Sequence, residues 1–130
     1  MPHAQAYIHT AWRETSPGWL LALAAMLGFR HPANGPLAIC DLACGTGYSA
    51  ALTAACVPSA TVDGFDADAG HIETAERLAR SATLGNIRFD TADIRRLAND
   101  PPRTYDIIVV HGVLSLSLIH ISEPTRLRRI

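Results

Sequence analysis

A glycine turn and the acidic residues around it are the groups in this sequence that could bind a ligand. The stretch ICDLACGTGYSA, residues 39–50, has the spacing G-x-G-x-x-G/A at Gly45, Gly47 and Ala50. Such a turn between a strand and a helix exposes backbone N–H groups, and a ligand can approach glycine closely because glycine has no Cβ. Asp66 follows Gly47 by nineteen residues, where an acidic side chain can accept hydrogen bonds from ribose hydroxyls. The pattern therefore predicts a site for a nucleoside-containing ligand.

The charge of the rest of the ligand distinguishes two cofactors. Asp41 lies four residues before Gly45, where its carboxylate would attract a cation and repel a pyrophosphate. S-adenosylmethionine carries an ammonium and a sulfonium, whereas NAD carries a pyrophosphate, so Asp41 favours S-adenosylmethionine. Asp93 is a third carboxylate expected at the same edge, where it can accept a hydrogen bond from the amine of an adenine. Each acid is equally well explained as a local cap, Asp41 of the turn and Asp93 of a following helix.

Alternating strands and helices are expected to position these groups. Strand patterns occupy residues 37–42, 61–65, 87–89 and 105–110. Helix patterns occupy residues 17–27, 48–56, 69–84 and 93–97. Strands that alternate with helices form a parallel sheet covered on both faces, and right-handed crossovers make it doubly wound. We therefore expect an α/β fold of the Rossmann-like, doubly wound type.

Four motifs, in this order, resemble those of class I S-adenosylmethionine-dependent methyltransferases. They are DLACGTG at 41–47, GFDAD at 64–68, TADI at 91–94 and YDIIVVHGVLS at 105–115. The upstream segment SPGWLLALAAMLGF is similar to bacterial members that carry a C-terminal methyltransferase regulatory domain. The resemblance implies an incomplete Rossmann-like sheet, with about four strands of the usual seven or so. It also implies an enzyme that transfers a methyl group from S-adenosylmethionine to an unidentified small-molecule or protein acceptor.

The resemblance also assigns roles to individual residues. The methionine end of the cofactor would meet the glycine turn, the ribose would meet Asp66, and the adenine would meet Asp93. The predicted cofactor-binding residues are Asp41, Ala43, Gly45, Thr46, Gly47, Asp66, Ala67, Asp93, Ile94 and His111. His111 is also a candidate general base, because imidazole titrates near neutral pH, although packing beneath the cofactor is the simpler role. Tyr7 and Trp12 would either cover the ligand or pack against the N-terminal helix, and we favour packing.

Composition argues against several other kinds of site and partner. The formal charge of −1 gives no reason to expect nucleic acid as a partner. No apolar run is long enough to span a bilayer and no signal-peptide pattern is visible, so we expect no membrane partner and a cytoplasmic location. Cys40, Cys44 and Cys56 lack the histidine spacing that would complete a metal site. All eleven basic residues are arginine, which is typical of GC-rich bacterial genes.

The end of the chain has a different character from the rest. Residues 116–126, LSLIHISEPTR, resemble a translated sequencing adaptor. We therefore divide the chain into an N-terminal helical segment (1–36), the S-adenosylmethionine-binding half of a methyltransferase domain (37–115) and a non-native tail (116–130). Such a fragment is expected to be inactive on its own. The alternatives are an NAD-binding oxidoreductase fragment and a ligand-binding fragment without catalysis.

Overall fold

The computed structural model describes residues 9–31 and 35–111 of the chain, so the adaptor-like segment 116–126 lies outside the described residues. The strands are β1 (Ala38–Leu42), β2 (Thr61–Asp66), β3 (Ile87–Thr91) and β4 (Ile107–Val110). After a 3₁₀ turn at Arg13–Thr15, the helices are α1 (Pro17–Met26), α2 (Tyr48–Cys56), α3 (Ala69–Ser81) and α4 (Ile94–Asn99). Among these described residues, no helix is long and apolar enough to cross a membrane.

The strands form one parallel sheet in the order β3-β2-β1-β4. Strand β1 lies between β2 and β4, and Asp41 near its end is paired with Gly64 on one side and Val109 on the other. The chain moves outward from β1 to β3 and then crosses back to β4, so the order reverses beside β1. Such a switch point opens a crevice at the carboxyl ends of the strands. The expected α/β, Rossmann-like fold is confirmed.

Helices α2 and α3 cover one face of the sheet and close the core there. The core includes the buried side chains of Ile39, Val62, Ala75 and Phe89. Gly47, which precedes α2, has a φ of +77°, and a Cβ on it would lie 2.5 Å from the Cβ of Ala75 and 2.7 Å from Cζ of Phe89. The turn therefore packs so closely against α3 and β3 that this position has no room for a side chain.

The largest differences from the sequence-based helix boundaries are at the ends of α3 and α4. Helix α3 was expected to reach residue 84, but it ends at Ser81 because Thr83 adopts a left-handed φ of +55°. The N–H of Leu84 then donates to the carbonyl of Ala79 at 3.0 Å, which closes the helix end. At the other end of α3, the Asp68 side chain accepts from the N–H groups of Gly70 and His71. Helix α4 extends to Asn99, beyond the expected end at 97.

A buried carboxylate lies on the opposite face of the sheet, in the middle of β2. Asp63 is only 1% exposed. Its Oδ2 accepts a hydrogen bond of 2.8 Å from the hydroxyl of Tyr105 and pairs with Nε of Arg103 at 3.1 Å and with Nη2 of Arg88 at 3.4 Å. Burial, together with the bond to Asp63, raises the pKa of Tyr105. This side chain therefore links β2 to β3 and to the residues that lead into β4.

Candidate cofactor-binding site

The glycine turn between β1 and α2 is held by its own backbone and by β2. The N–H of Cys44 donates to the carbonyl of Phe65 at 2.9 Å, and the N–H of Gly47 donates to the carbonyl of Cys44 at 3.0 Å. Ala43, Gly45 and Gly47 have φ values of +58°, +57° and +77°. A left-handed alanine costs free energy and is held only where the surrounding structure dictates it. The turn is thus a fixed structure rather than a loose connection.

Asp66, the last residue of β2, contacts this turn directly. Its Oδ2 accepts a 2.8 Å hydrogen bond from the N–H of Gly45, and its Oδ1 accepts one of 2.9 Å from the N–H of Asp68. Nδ1 of His71 lies 3.4 Å from the same Oδ1. A carboxylate oxygen has two acceptor positions, so Oδ2, which within the described ranges accepts only from Gly45, retains capacity for a hydroxyl of a ligand.

Asp41 lines a cavity of about 90 Å³ at the end of β1, called here the Asp41 cavity. Its other walls are the N-terminal segment (residues 9–15), the glycine turn, the start of α2 and the end of β4. Among the residues that the structure describes, none forms a hydrogen bond with the Asp41 side chain. Burial, and to a smaller extent the charge of Asp66, raises the pKa of Asp41 to about 7. Within the described part of the chain, this carboxyl group therefore has no positively charged partner.

A cationic ligand at Asp41 is expected to bind more tightly as pH rises through about 7. Below that pH the carboxyl is protonated, because its pKa is raised to about 7, and it must lose the proton to attract a cation. From pH 6 to pH 8 we expect the affinity for S-adenosylhomocysteine, which carries an ammonium, to rise about tenfold, the ratio of the ionised fractions. Titration calorimetry at several pH values measures this change.

Asp41→Asn is the matched variant, because it keeps the shape of the side chain and removes its titration. His111 lines the same cavity and can also affect binding. The contribution of Asp41 is therefore the difference in the pH dependence of binding between wild type and variant. The pKa is raised in the folded state, so the stability contributed by Asp41 is full below about 3.8 and is lost as pH rises through about 7. The variant should therefore gain stability relative to wild type over that interval. An identical pH dependence of binding in the two proteins would contradict the assignment.

The structure brings the residues of the first motif to one place and sets the third motif beside Asp66, where the N–H of Ala92 donates to the Asp66 carbonyl at 2.9 Å. Asp93 is the N-cap of α4, where it accepts from the N–H of Arg95 at 2.8 Å and pairs with Nη2 of Arg95 at 2.6 Å. These bonds hold the pKa of Asp93 at about 2. Ile94 lines an apolar cleft of about 390 Å³ together with Phe65 and Tyr105. Ala67 is exposed just beyond β2. Contacts of Asp93 and Ile94 with adenine, and of Ala67 with the cofactor, stay predictions.

The N-terminal segment is the part of the site that sequence reasoning missed. Nδ1 of His9 lies 3.0 Å from Oγ1 of Thr46, and the ring of His9 contacts that of Tyr48 edge-on at 6.4 Å. The rings of Trp12 and His111 lie 5.5 Å apart, and both line the Asp41 cavity. These contacts favour the covering role for Trp12 over packing alone, whereas Tyr7 lies outside the described residues.

Two of the three cysteines lie in or beside the glycine turn. Cys40 and Cys44 are buried, and burial raises the pKa of both thiols. Within residues 9–31 and 35–111, no three His, Cys, Asp or Glu side chains are grouped so that they could hold a metal ion.

Comparison with known proteins defines the class. The family described as "Methyltransferase domain" matches residues 39–129. The chain belongs to this family, which confirms the resemblance to class I S-adenosylmethionine-dependent methyltransferases seen in the four motifs.

Two curated relatives and one solved structure illustrate the match. Malonyl-[acyl-carrier protein] O-methyltransferase of Halalkalibacterium halodurans is 36% identical over 89 residues, 65% of this chain and 31% of the relative. Trans-aconitate 2-methyltransferase of Methylobacterium nodulans is 32% identical over 126 residues, 97% of this chain and 44% of the relative. PKMT2 from Rickettsia typhi in complex with AdoHcy has a TM-score of 0.73 at 24% identity, over 84% of this chain and 21% of that chain, which shows the shared fold. This chain thus spans less than half the length of each of these proteins.

Proposed function

We propose that this chain is the cofactor-binding part of an enzyme that transfers a methyl group from S-adenosylmethionine to a nucleophile not yet identified. One observation carries the proposal: Asp41 and Asp66 meet at the glycine turn, and the carboxyl of Asp41 has no positive partner among the described residues. Their carboxylates fit a cofactor that combines an ammonium, a sulfonium and ribose hydroxyls.

The roles of the residues follow from their chemistry. Asp66 would accept hydrogen bonds from the ribose while it holds Gly45, and Asp41 would attract the positive methionine end. When bound, the cofactor supplies an electrophilic methyl group. Alignment of a nucleophile with that methyl group can be sufficient for transfer. His111 lines the Asp41 cavity, where its imidazole could take a proton from an acceptor that needs to lose one.

The NAD-binding alternative is less compatible with the same geometry. A pyrophosphate would need backbone donors at the turn, yet the N–H of Gly45 already donates to Asp66 at 2.8 Å. It would also lie next to two carboxylates, whose charges repel it.

A binding experiment separates the proposed function from its rivals. S-adenosylhomocysteine and NADH are titrated separately into the 130-residue chain at pH 8, and binding is followed by calorimetry. We expect S-adenosylhomocysteine to bind and NADH to show no binding. Binding of NADH alone would favour the oxidoreductase alternative, and binding of neither would leave a fragment without cofactor function.

We also propose that the protein acts in a bacterial cytoplasm. The relatives named above come from bacteria. Cys40, Cys44 and Cys56 are free thiols in the structure, and free thiols persist in a reducing compartment.

A further inference from the structure

We propose that Trp12 binds the positive charge of the cofactor through the face of its indole ring, a role that rests on the proposed function. Trp12 lies outside the four motifs, in the N-terminal segment, far from the glycine turn in sequence. It nevertheless forms a wall of the Asp41 cavity. One small cavity is thus lined by a carboxylate and by an aromatic side chain, two groups that attract a cation.

The structure holds Trp12 in place from two sides. Its carbonyl accepts from Oγ1 of Thr15 at 2.7 Å and from the N–H of Thr15 at 3.0 Å, which fixes the backbone in the 3₁₀ turn. Its ring lies 5.5 Å from the ring of His111, with an angle of 35° between the planes. Half of the Trp12 surface remains exposed (52%), so the indole is positioned but not fully covered.

The neighbouring Arg13 stacks on a different indole, that of Trp19. Arg13 lies over the ring of Trp19 at 5.4 Å and pairs with Glu14 at 3.1 Å. The ring that contacts the indole of Trp12 is that of His111, at 5.5 Å between centroids. The indole is therefore not engaged by Arg13 and can contact a cation that binds in the cavity.

The small size of the cavity joins the two interactions. Asp41 and Trp12 line the same space of about 90 Å³. A positive group in this space therefore lies close to both the carboxylate and the ring. S-adenosylmethionine and S-adenosylhomocysteine share the ribose, the adenine and the ammonium, but only the first has a charged sulfur. Asp41 attracts the sulfonium as well, so the contact between the sulfonium and the indole is reported by the change in the affinity difference between the two ligands when Trp12 is replaced.

The test compares these two ligands in Trp12→Leu and Trp12→Phe, with binding measured by calorimetry at pH 8. Trp12→Leu is expected to weaken S-adenosylmethionine binding about three- to tenfold, with less than about twofold loss for S-adenosylhomocysteine. Trp12→Phe keeps a π face and should retain most of the affinity. Trp19→Leu is the matched control, because Trp19 is also exposed but does not line the cavity, and it should change neither affinity.

The other outcomes overturn the proposal in distinct ways. Equal losses of affinity for both ligands would show that Trp12 packs against the cofactor without interacting with its positive sulfur. No loss for either ligand would place the indole outside the cofactor site. If the wild-type chain binds neither ligand, the proposed function itself is wrong. Circular dichroism and melting temperatures equal to those of wild type establish that the variants are folded.

Discussion

Asp66→Ala is expected to weaken S-adenosylhomocysteine binding about 100-fold, because a hydrogen bond to a charged acceptor contributes roughly 1.5–3 kcal/mol and more than one bond is lost. Asp66 is the proposed acceptor for the ribose. It also accepts the 2.8 Å hydrogen bond from the N–H of Gly45, so its removal frees the glycine turn. Calorimetric titration at pH 8 measures the loss directly.

Asp68 provides a control two residues away. Its carboxylate caps α3 by accepting from the N–H groups of Gly70 and His71, and no bond joins its side chain to the turn. Asp68→Ala should lower the free energy of unfolding, because α3 loses its N-cap, and leave the affinity within about threefold. Asp66→Asn keeps an acceptor oxygen without the charge and should be intermediate. Wild-type affinity in Asp66→Ala would show that the ligand does not bind at this carboxylate.

Gly47→Ala is expected to lower the free energy of unfolding by about 3 kcal/mol, from a left-handed φ and from overpacking. The φ of Gly47 is +77°, which an L-residue rarely adopts. The added methyl group would also lie 2.5 Å from the Cβ of Ala75 and 2.7 Å from Cζ of Phe89, well inside van der Waals contact. These overlaps can be relieved only if α2, α3 and β3 move apart.

Gly18→Ala is the matched control for that substitution. A Cβ at Gly18 meets no atom within 4 Å, and the residue lies in the first turn of α1. Alanine is a better helix former than glycine, so this variant should be neutral or slightly more stable. Urea denaturation, monitored by circular dichroism, compares the free energies of unfolding of the two variants. Similar unfolding midpoints for both variants would show that the packing around Gly47 is looser than the structure indicates.

The residues at the ends of β1 and β2 were predictable because they depend on local patterns. A buried apolar run followed by glycine marks the end of β1, and parallel strands place their carboxyl ends at one edge. That reasoning brings Asp41 and Asp66 to the same turn without any knowledge of the sheet order. Helix α3, by contrast, ends before the expected residue 84, because Thr83 adopts a left-handed φ and Leu84 packs against the core.

The contacts of the N-terminal segment could not be predicted in this way. Trp12 and His111 are 99 positions apart, and no periodicity or spacing connects them. An aromatic residue next to a helix start is usually part of its packing, so the sequence alone favoured that interpretation. Only the path of the chain across the carboxyl edge of the sheet reveals that Trp12 meets the end of β4.

Asp63 has a consequence for the way in which the sheet comes apart. Its Oδ2 contacts Arg88 on one outer strand, and Arg103 and Tyr105 in the segment that leads into the other, with sequence separations of 25 to 42 positions. If either outer strand detaches, a buried negative charge loses part of its compensation, and that is costly. The two edges of the sheet are therefore coupled energetically, and we expect them to unfold in one cooperative step rather than one after the other.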